Sequence, residues 1–140
     1  RYEIEKQLFN GELEVDDLPT AWNSMFKDWF GIEVPEDRLG CLQDIHWSMG
    51  AFGYFPTYTL GNLYAAQLLE AMTSELGDVD DLIGAGDWQP MLDWLRPRIH
   101  ARGSLVSPAQ IIEDATGSPP SPEPFLRYVE RKYGALYGLD

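Results

Sequence analysis

Apolar residues recur at intervals of three and four along most of this 140-residue chain, and that rhythm restricts its fold to helices. The longest example lies between Thr57 and Leu76 and is followed by Gly77, a typical helix stop. A second runs from Asp17 to Gly31, where a proline stands near the start and large apolar side chains share one face. Each segment therefore predicts an amphipathic helix.

Shorter segments follow the same pattern. Residues 87–100 and 125–138 each carry an apolar stripe, and Ile4 and Leu8 share one helix face at the start of the chain. Ser107, Pro108 and Gln110 combine an N-cap, a first-turn proline and a capping-box glutamine, which predicts a helix over 107–115. No stretch alternates apolar and polar residues long enough to predict a strand. We predict an all-α fold, a compact bundle-like single domain over residues 1–140.

Four tryptophans lie on these helical stripes, and aromatic side chains on such stripes usually pack in the core. We therefore expect burial of Trp22, Trp29, Trp88 and Trp94. Cys41, the only cysteine, is expected to be a small buried apolar group rather than a nucleophile.

Charge and composition exclude several classes of partner. Lys and Arg total 10 against 23 Asp and Glu, which gives a net charge of −13. Such a chain would be repelled by a nucleic-acid backbone or by an anionic membrane. No apolar run is long enough to span a bilayer. From the charge we expect no binding to nucleic acid or to a membrane. A single free cysteine suits a reducing compartment, so we expect a cytoplasmic protein.

The segment from Gly40 to Tyr58 differs from the helical remainder. It places polar side chains and aromatic rings among four glycines and a proline, a composition typical of a shaped polar pocket rather than of a core element. Its chemistry-bearing side chains are those of Gln43, Asp44, His46, Trp47, Tyr54 and Tyr58. This segment is the candidate ligand-binding part of the chain.

Metal and nucleophile motifs are absent from the sequence. The two histidines, His46 and His100, do not form a His-Glu-x-x-His pair, and with Cys41 they do not make a three-ligand set. Serine-nucleophile motifs and phosphate-binding glycine loops are missing as well. We expect no metal ligand in this chain.

A family resemblance rests on residues 40–47, Gly-Cys-Leu-Gln-Asp-Ile-His-Trp, which match the Gly-x-x-Gln-Asp-x-His-Trp signature of the carboxypeptidase Taq family at every defined position. Further segments resemble the C-terminal part of that family in the same order: 1–5, 52–58, Ile99-His100-x-x-Gly103, and 125–128 through Lys132-Tyr133. The resemblance covers essentially the whole chain. It implies a C-terminal part of a larger helical metallocarboxypeptidase, an enzyme that removes C-terminal amino acids from peptides.

The resemblance also implies what lies outside this chain. The family's His-Glu-x-x-His motif and its further Glu ligand would precede Arg1, and the chain begins without a methionine. A divalent metal, zinc or cobalt, is therefore expected in the full-length enzyme, and this part alone is expected to be inactive. The implied partners are a peptide substrate and the N-terminal part of the enzyme, with a second copy in a homodimer as a further candidate.

The resemblance assigns roles to individual residues. Tyr58 is the first candidate to donate to the oxyanion in the transition state, and Tyr54 is the second. His46, about three helical turns before Tyr58, would donate to the substrate backbone. Asp44 would orient the imidazole or hold the loop, and Gln43 is a further candidate contact to the substrate backbone. Gly53 and Pro56 argue against one continuous helix between His46 and Tyr58.

Arginine is the best side chain for holding a terminal carboxylate, and the resemblance points to Arg1 for that role. Arg127 and Arg131 are instead expected to form surface ion pairs. A function of another class stays open: the chain could be a non-catalytic acidic helical module that binds proteins on the same scaffold.

Overall fold

A computed structural model describes residues 1–139. The chain divides into two compact units, Arg1–Tyr58 and Thr59–Asp140, and the boundary falls inside a helix. Throughout the described residues the regular structure is helical, with no strand. The predicted all-α class is confirmed, whereas the single domain over residues 1–140 stays a prediction.

The first unit contains two helices, α1 (Tyr2–Asn10) and α2 (Leu18–Phe30). A 3-10 turn, Val15–Asp17, precedes α2, and a second one, Asp37–Leu39, follows it. Residues 40–55 then form successive turns without regular structure. The helices predicted near Ile4 and over 17–31 are therefore present.

The core of the first unit is built around Ile4, Trp22 and Cys41, which are almost completely buried. Side chains of both helices, of the loops after each helix and of the irregular segment pack against this group: Leu8, Leu13, Leu18, Met25, Phe26, Val34 and Trp47. Burial raises the pKa of the Cys41 thiol, so this cysteine stays neutral and fills space as a small apolar group. The expected burial of Cys41 is confirmed.

Helix α3 (Pro56–Leu76) crosses the boundary into the second unit and matches the helix predicted over 57–76. The helices that follow are α4 (Val79–Ala85), α5 (Gln89–Leu95), α6 (Pro108–Thr116), α7 (Glu123–Val129) and α8 (Ala135–Tyr137). The core of this unit contains Met72, Val79, Trp94 and Ala115. One continuous apolar cluster thus joins α3, α4, α5 and α6.

Two of the predicted helices contain a turn of π-helix. Helix α5 continues into a π turn, Arg96–His100, and α7 continues into another, Glu130–Gly134. Pro97 has no N–H to donate to the carbonyl four residues earlier, so the helix widens where it passes this residue. The wider spacing appears in the bond from the Ala101 N–H to the Arg96 carbonyl, five residues apart, at 2.8 Å.

Cap residues explain both a confirmed and a missed helix. The Ser107 hydroxyl accepts from the Gln110 N–H at 3.2 Å, as an N-cap should. The Gln110 side chain donates to Asp114 instead of closing the predicted capping box. Helix α4 was not predicted from the sequence, although the Asp78 carboxylate caps it by accepting from the Asp80 N–H at 2.9 Å.

The expected burial of four tryptophans is correct for two of them and wrong for the other two. Trp22 and Trp94 are buried, but Trp29 is 60% exposed and Trp88 is 52% exposed. A stripe shows which side chains share a helix face, and it does not show whether another element covers that face.

Surface ion pairs were expected for Arg127 and Arg131. Arg127 pairs with Glu70 at 2.7 Å, whereas Arg131 makes no ion pair within residues 1–139. No helix within residues 1–139 combines the length and apolar character required to cross a membrane.

Candidate functional site

The irregular segment is anchored by a close approach of backbone to core. A Cβ built on Gly40 would lie 2.7 Å from Cγ1 of Val34 and 3.3 Å from Cδ1 of Trp22, so a side chain does not fit there. Gly50 and Gly53 have φ values of +75° and +73°, which favour glycine. These positions allow residues 40–55 to turn tightly against the core of the first unit.

Asp44 joins Arg1 to His46. One carboxylate oxygen, Oδ2, lies 2.6 Å from Nη2 of Arg1. The other, Oδ1, accepts from the backbone N–H of His46 at 3.0 Å and lies 3.2 Å from Nδ1 of its ring. Two contacts from one oxygen fix both the backbone and the ring of His46. Asp44 is thereby placed to orient the imidazole, as a carboxylate behind a functional histidine often does.

The charge state of Asp44 follows from these contacts. Burial alone would raise its pKa, but the His46 N–H, the Arg1 charge and the His46 ring together hold the pKa of Asp44 below its ordinary value. Burial lowers the pKa of Arg1 against the opposing pull of Asp44; the ordinary value is so high that the guanidinium stays charged at neutral pH. An ionised pair therefore lies behind the imidazole.

The opposite edge of the His46 ring faces Tyr58. The Tyr58 hydroxyl lies 3.4 Å from Nε2 of His46, a long contact for a hydrogen bond. In the tautomer that carries its proton on Nδ1, toward Asp44, the Nε2 atom of His46 is an acceptor for this hydroxyl.

Aromatic rings surround the imidazole. Tyr54 stacks on it with a centroid distance of 5.6 Å and an interplanar angle of 27°. Phe55 lies 4.6 Å away between centroids, and Tyr58 stands nearly perpendicular at 6.2 Å. Tyr54 and Tyr58 also contact each other edge to face at 5.4 Å. The sequence-predicted residues His46, Tyr54 and Tyr58 thus form one cluster.

Tyr58 combines accessibility with a protonated hydroxyl. Its residue is 53% exposed, so a ligand can reach the phenol. Desolvation, Tyr54 and the Asp44 charge together raise the pKa of Tyr58 above its ordinary value. The hydroxyl is therefore a hydrogen-bond donor at neutral pH.

Arg1 lies in an aromatic enclosure rather than on the surface. Its guanidinium carbon is 4.6 Å from the ring centroid of Trp22, 5.2 Å from that of Trp47 and 4.8 Å from that of Phe55. The side chain is only 12% exposed. Within residues 1–139, its buried Nη1 atom has no hydrogen-bond partner. Cation–π contacts and the pair with Asp44 together hold this side chain in place.

Gln43 is the predicted site residue that the structure leaves apart. Its residue is exposed, its backbone N–H donates to the Gly40 carbonyl at 3.1 Å, and its side chain makes no hydrogen bond within the described part of the chain. The sequence reasoning also missed contributors. Phe55 contacts both His46 and Arg1, and the only signal for it was its place between Tyr54 and Pro56.

Glu5 contributes to the candidate segment, and the sequence analysis assigned it no role. Its residue is 3% exposed, and its carboxylate accepts from Nε1 of Trp47 at 2.7 Å and from the Gly53 N–H at 3.1 Å. The sequence shows Glu5 four residues after Arg1, a spacing that places both on one helix face, but it does not show the partners more than forty residues away.

The described residues do not fit a metal site. Across 1–139, no three His, Cys, Asp or Glu side chains come together as ligands would. A groove of about 680 Å³ in the second unit is lined by polar side chains that include Glu70, Asp78, Asp80, Arg127 and Arg131. The Glu70–Arg127 ion pair neutralises charge there, and the groove holds none of the predicted site residues.

Comparison with known proteins identifies the family of this chain. A sequence model of the family described as carboxypeptidase Taq (M32) metallopeptidase matches residues 1–133. This chain belongs to the carboxypeptidase Taq (M32) metallopeptidase family. The family resemblance of the 40–47 signature is thus confirmed.

Curated relatives of this M32 chain are carboxypeptidases. Thermostable carboxypeptidase 1 of Thermus thermophilus is 51% identical over 138 residues, which are 99% of this chain and 27% of the relative. Carboxypeptidase 1 of Bacillus subtilis is 44% identical over 139 residues, or 28% of its length. The chain therefore spans little more than a quarter of the curated relatives that it matches.

Solved structures of M32 proteins share the fold. An M32 carboxypeptidase from Deinococcus radiodurans superposes with a TM-score of 0.92 at 35% identity, covering 98% of this chain and 28% of that one. Trypanosoma cruzi metallocarboxypeptidase 1 gives 0.89 at 43% identity, covering 94% and 28%. The helical arrangement of this chain is thus the one found in part of these larger proteins.

Proposed function

We propose that this chain is the C-terminal part of a metal-dependent carboxypeptidase that removes C-terminal amino acids from peptides. Its contribution is to bind the substrate and to stabilise the oxyanion, while the metal ligands belong to the remainder of the enzyme. Family membership and the share of each relative that is matched support this proposal. The chain alone is inactive in this proposal.

One observation carries the proposal: an accessible, protonated Tyr58 hydroxyl lies beside the Nε2 atom of an imidazole that Asp44 holds from behind. Hydrolysis of a peptide bond places negative charge on the carbonyl oxygen as that carbon becomes tetrahedral. A positioned neutral donor stabilises this charge most in the transition state. Tyr58 is the donor that we assign, with Tyr54 as the second candidate.

His46 and Asp44 act together in this proposal. With Asp44 on Nδ1, the Nε2 edge of His46 is directed toward the exposed side of the cluster, where a substrate backbone would lie. When Nε2 carries a proton, it would donate to a substrate carbonyl. When Nε2 carries no proton, it would accept from the Tyr58 hydroxyl. Gln43, exposed and without a side-chain partner within 1–139, is the further proposed contact to the substrate backbone.

Arg1 is the proposed binder of the terminal carboxylate. Its charge and the Nη1 atom that lacks a partner among the described residues support that role. Its pair with Asp44 favours a second role, because the same guanidinium also holds the carboxylate behind His46. The two roles predict different kinetic changes.

The metal, zinc or cobalt, and the His-Glu-x-x-His motif that would bind it are proposed for the N-terminal part of the enzyme. The described residues of this chain offer no ligand set, so its own role is limited to holding substrate and supplying hydrogen bonds. We also propose that the full-length enzyme is cytoplasmic and forms a homodimer.

Two peptides test the activity. The full-length enzyme is expected to hydrolyse an N-blocked dipeptide with a free C-terminal carboxylate and to leave the matching C-terminal amide intact, because the carboxylate is part of what is recognised. Equal cleavage of acid and amide would indicate an endopeptidase. Cleavage of neither, with metal bound, would favour the alternative of a non-catalytic acidic interaction module.

A further inference from the structure

A buried carboxylate, that of Glu5, binds the candidate segment without contacting His46 or Tyr58 through a hydrogen bond. Glu5 is 3% exposed, and no Lys or Arg within residues 1–139 forms an ion pair with it. A buried charge is costly unless hydrogen bonds replace the lost water. Glu5 has two such bonds, one to each oxygen: Oε1 accepts from Nε1 of Trp47 at 2.7 Å, and Oε2 accepts from the Gly53 N–H at 3.1 Å.

The two donors flank a single turn of the chain. Trp47 directly follows His46, and Gly53 directly precedes Tyr54. Inside the turn, the Ala51 N–H bonds to the His46 carbonyl at 2.9 Å, and the Gly50 N–H bonds to the Trp47 carbonyl at 3.0 Å. One carboxylate therefore holds both ends of the segment that separates the imidazole from Tyr54.

The far end of this segment leads to Tyr58. The Tyr54 carbonyl accepts from the Thr57 N–H at 3.0 Å and from the Thr57 hydroxyl at 2.6 Å, and the Tyr58 N–H donates to the Phe55 carbonyl at 3.2 Å. These bonds form the first turn of α3. A displacement of Gly53 would therefore also displace the start of α3, the helix that carries Tyr58.

Helix α1 thus holds His46 from two sides. Arg1 reaches Asp44, which orients the imidazole, and Glu5, one turn later on the same helix face, fixes the residues that follow the imidazole. We propose that Glu5 is a positioning residue, which sets the distance between His46 and the Tyr54–Tyr58 pair through Trp47 and Gly53. Its consequence for catalysis rests on the function proposed above.

Glu5→Gln in the full-length enzyme tests this role with little change of shape. The carboxamide keeps one acceptor oxygen and turns an NH₂ group toward the other N–H, so one of the two bonds is lost. Displacement of a catalytic group by about 1 Å can cost up to about 100-fold in rate. We expect kcat to fall about 10-fold or more with KM nearly unchanged, and the ring ¹⁵N signals of His46, assigned with His46→Gln, to shift.

Two control variants separate positioning from stability. Glu3→Gln removes the same charge from the same helix, at a half-exposed side chain paired with Lys6, and should leave kcat and the His46 signals unchanged. Ile4→Val removes one buried methylene group from the same helix and should lower the melting temperature without moving those signals. A kcat loss in Ile4→Val equal to that in Glu5→Gln would overturn the inference.

Unmoved His46 signals in Glu5→Gln would also overturn it. The ring signals report the geometry directly and do not depend on turnover. If Tyr58→Phe leaves kcat normal while Glu5→Gln shifts the His46 signals, the proposed role of Tyr58 fails and the positioning role of Glu5 is supported. If Tyr58→Phe lowers kcat while Glu5→Gln changes neither kcat nor the His46 signals, the proposed role of Tyr58 is supported and the positioning role of Glu5 fails.

Discussion

Nε2 of His46 lies 3.4 Å from the hydroxyl of Tyr58, although twelve residues separate them along the chain. A break in regular structure brings them together: residues 40–55 turn back on themselves before α3 begins at Pro56. The contact therefore depends on the conformation of that segment, and substitutions that move the segment should change the distance between the two side chains.

Gly40 provides the first test of the segment. In Gly40→Ala the new methyl group would lie within 2.7 Å of Val34 and 3.3 Å of Trp22, so the core must shift. We expect the free energy of unfolding to fall by about 1–3 kcal/mol, as overpacking typically costs. The matched control is Gly61→Ala, which has open space inside α3 and should instead gain about 0.5–1 kcal/mol. Equal effects in thermal or urea unfolding would contradict the close approach.

Asp44 should give stability a defined dependence on pH. Its pKa is lower in the folded protein than its ordinary value of 3.8. The carboxylate therefore stabilises the fold fully above that value, and the stabilisation is lost as the pH falls through the folded pKa. The melting temperature of wild type should exceed that of Asp44→Asn at neutral pH, and the difference should shrink below pH 3.8. Asp16→Asn, an exposed control, should show no such trend; a difference that grows in acid would refute the pairing.

Arg1→Lys separates the two roles of this side chain. Lysine keeps the charge but loses the planar fork that binds carboxylates in two places. If Arg1 holds the terminal carboxylate of the substrate, KM should rise about 10-fold while kcat changes little, since the loss affects ground state and transition state equally. Arg127→Lys, at the surface pair with Glu70, is the control. A fall in kcat at constant KM would assign Arg1 to the positioning of Asp44 instead.

Metal binding by the isolated chain is expected to be weak. His46, His100 and Cys41 do not meet as ligands in the described residues, and the described acidic side chains do not complete a set. After dialysis against excess zinc and then against buffer, the chain should keep far less than one ion per molecule by elemental analysis. Stoichiometric zinc in the folded chain would contradict the proposal that the metal ligands lie in the N-terminal part of the enzyme.

Helix positions were readable from the sequence where apolar spacing and caps agreed. Helices α2 and α3 end where Gly31 and Gly77 predicted, and Ser107 caps α6 as its side chain allows. Helix α4 was missed because seven residues with a glycine inside give too short a pattern, despite the cap at Asp78.

The candidate site was only partly readable. The 40–47 signature contains Asp44 and His46, and the 52–58 run contains Tyr58, but the distances between these side chains depend on turns that no periodicity describes. Glu5 shows the limit most clearly. A glutamate on a helix is ordinarily solvated, and its burial here depends on Trp47 and Gly53, which the fold brings from more than forty residues away.

Tyr58→Phe in the full-length enzyme, assayed with an N-blocked dipeptide beside a melting curve, tests the central claim most directly. The change removes only the hydroxyl near Nε2 of His46. Because one oxyanion donor typically contributes about 100-fold or more to kcat, kcat should fall by that factor with KM, metal content and melting temperature nearly unchanged. A normal kcat, with or without a loss of stability, would contradict the role of Tyr58 and shift the assignment to Tyr54.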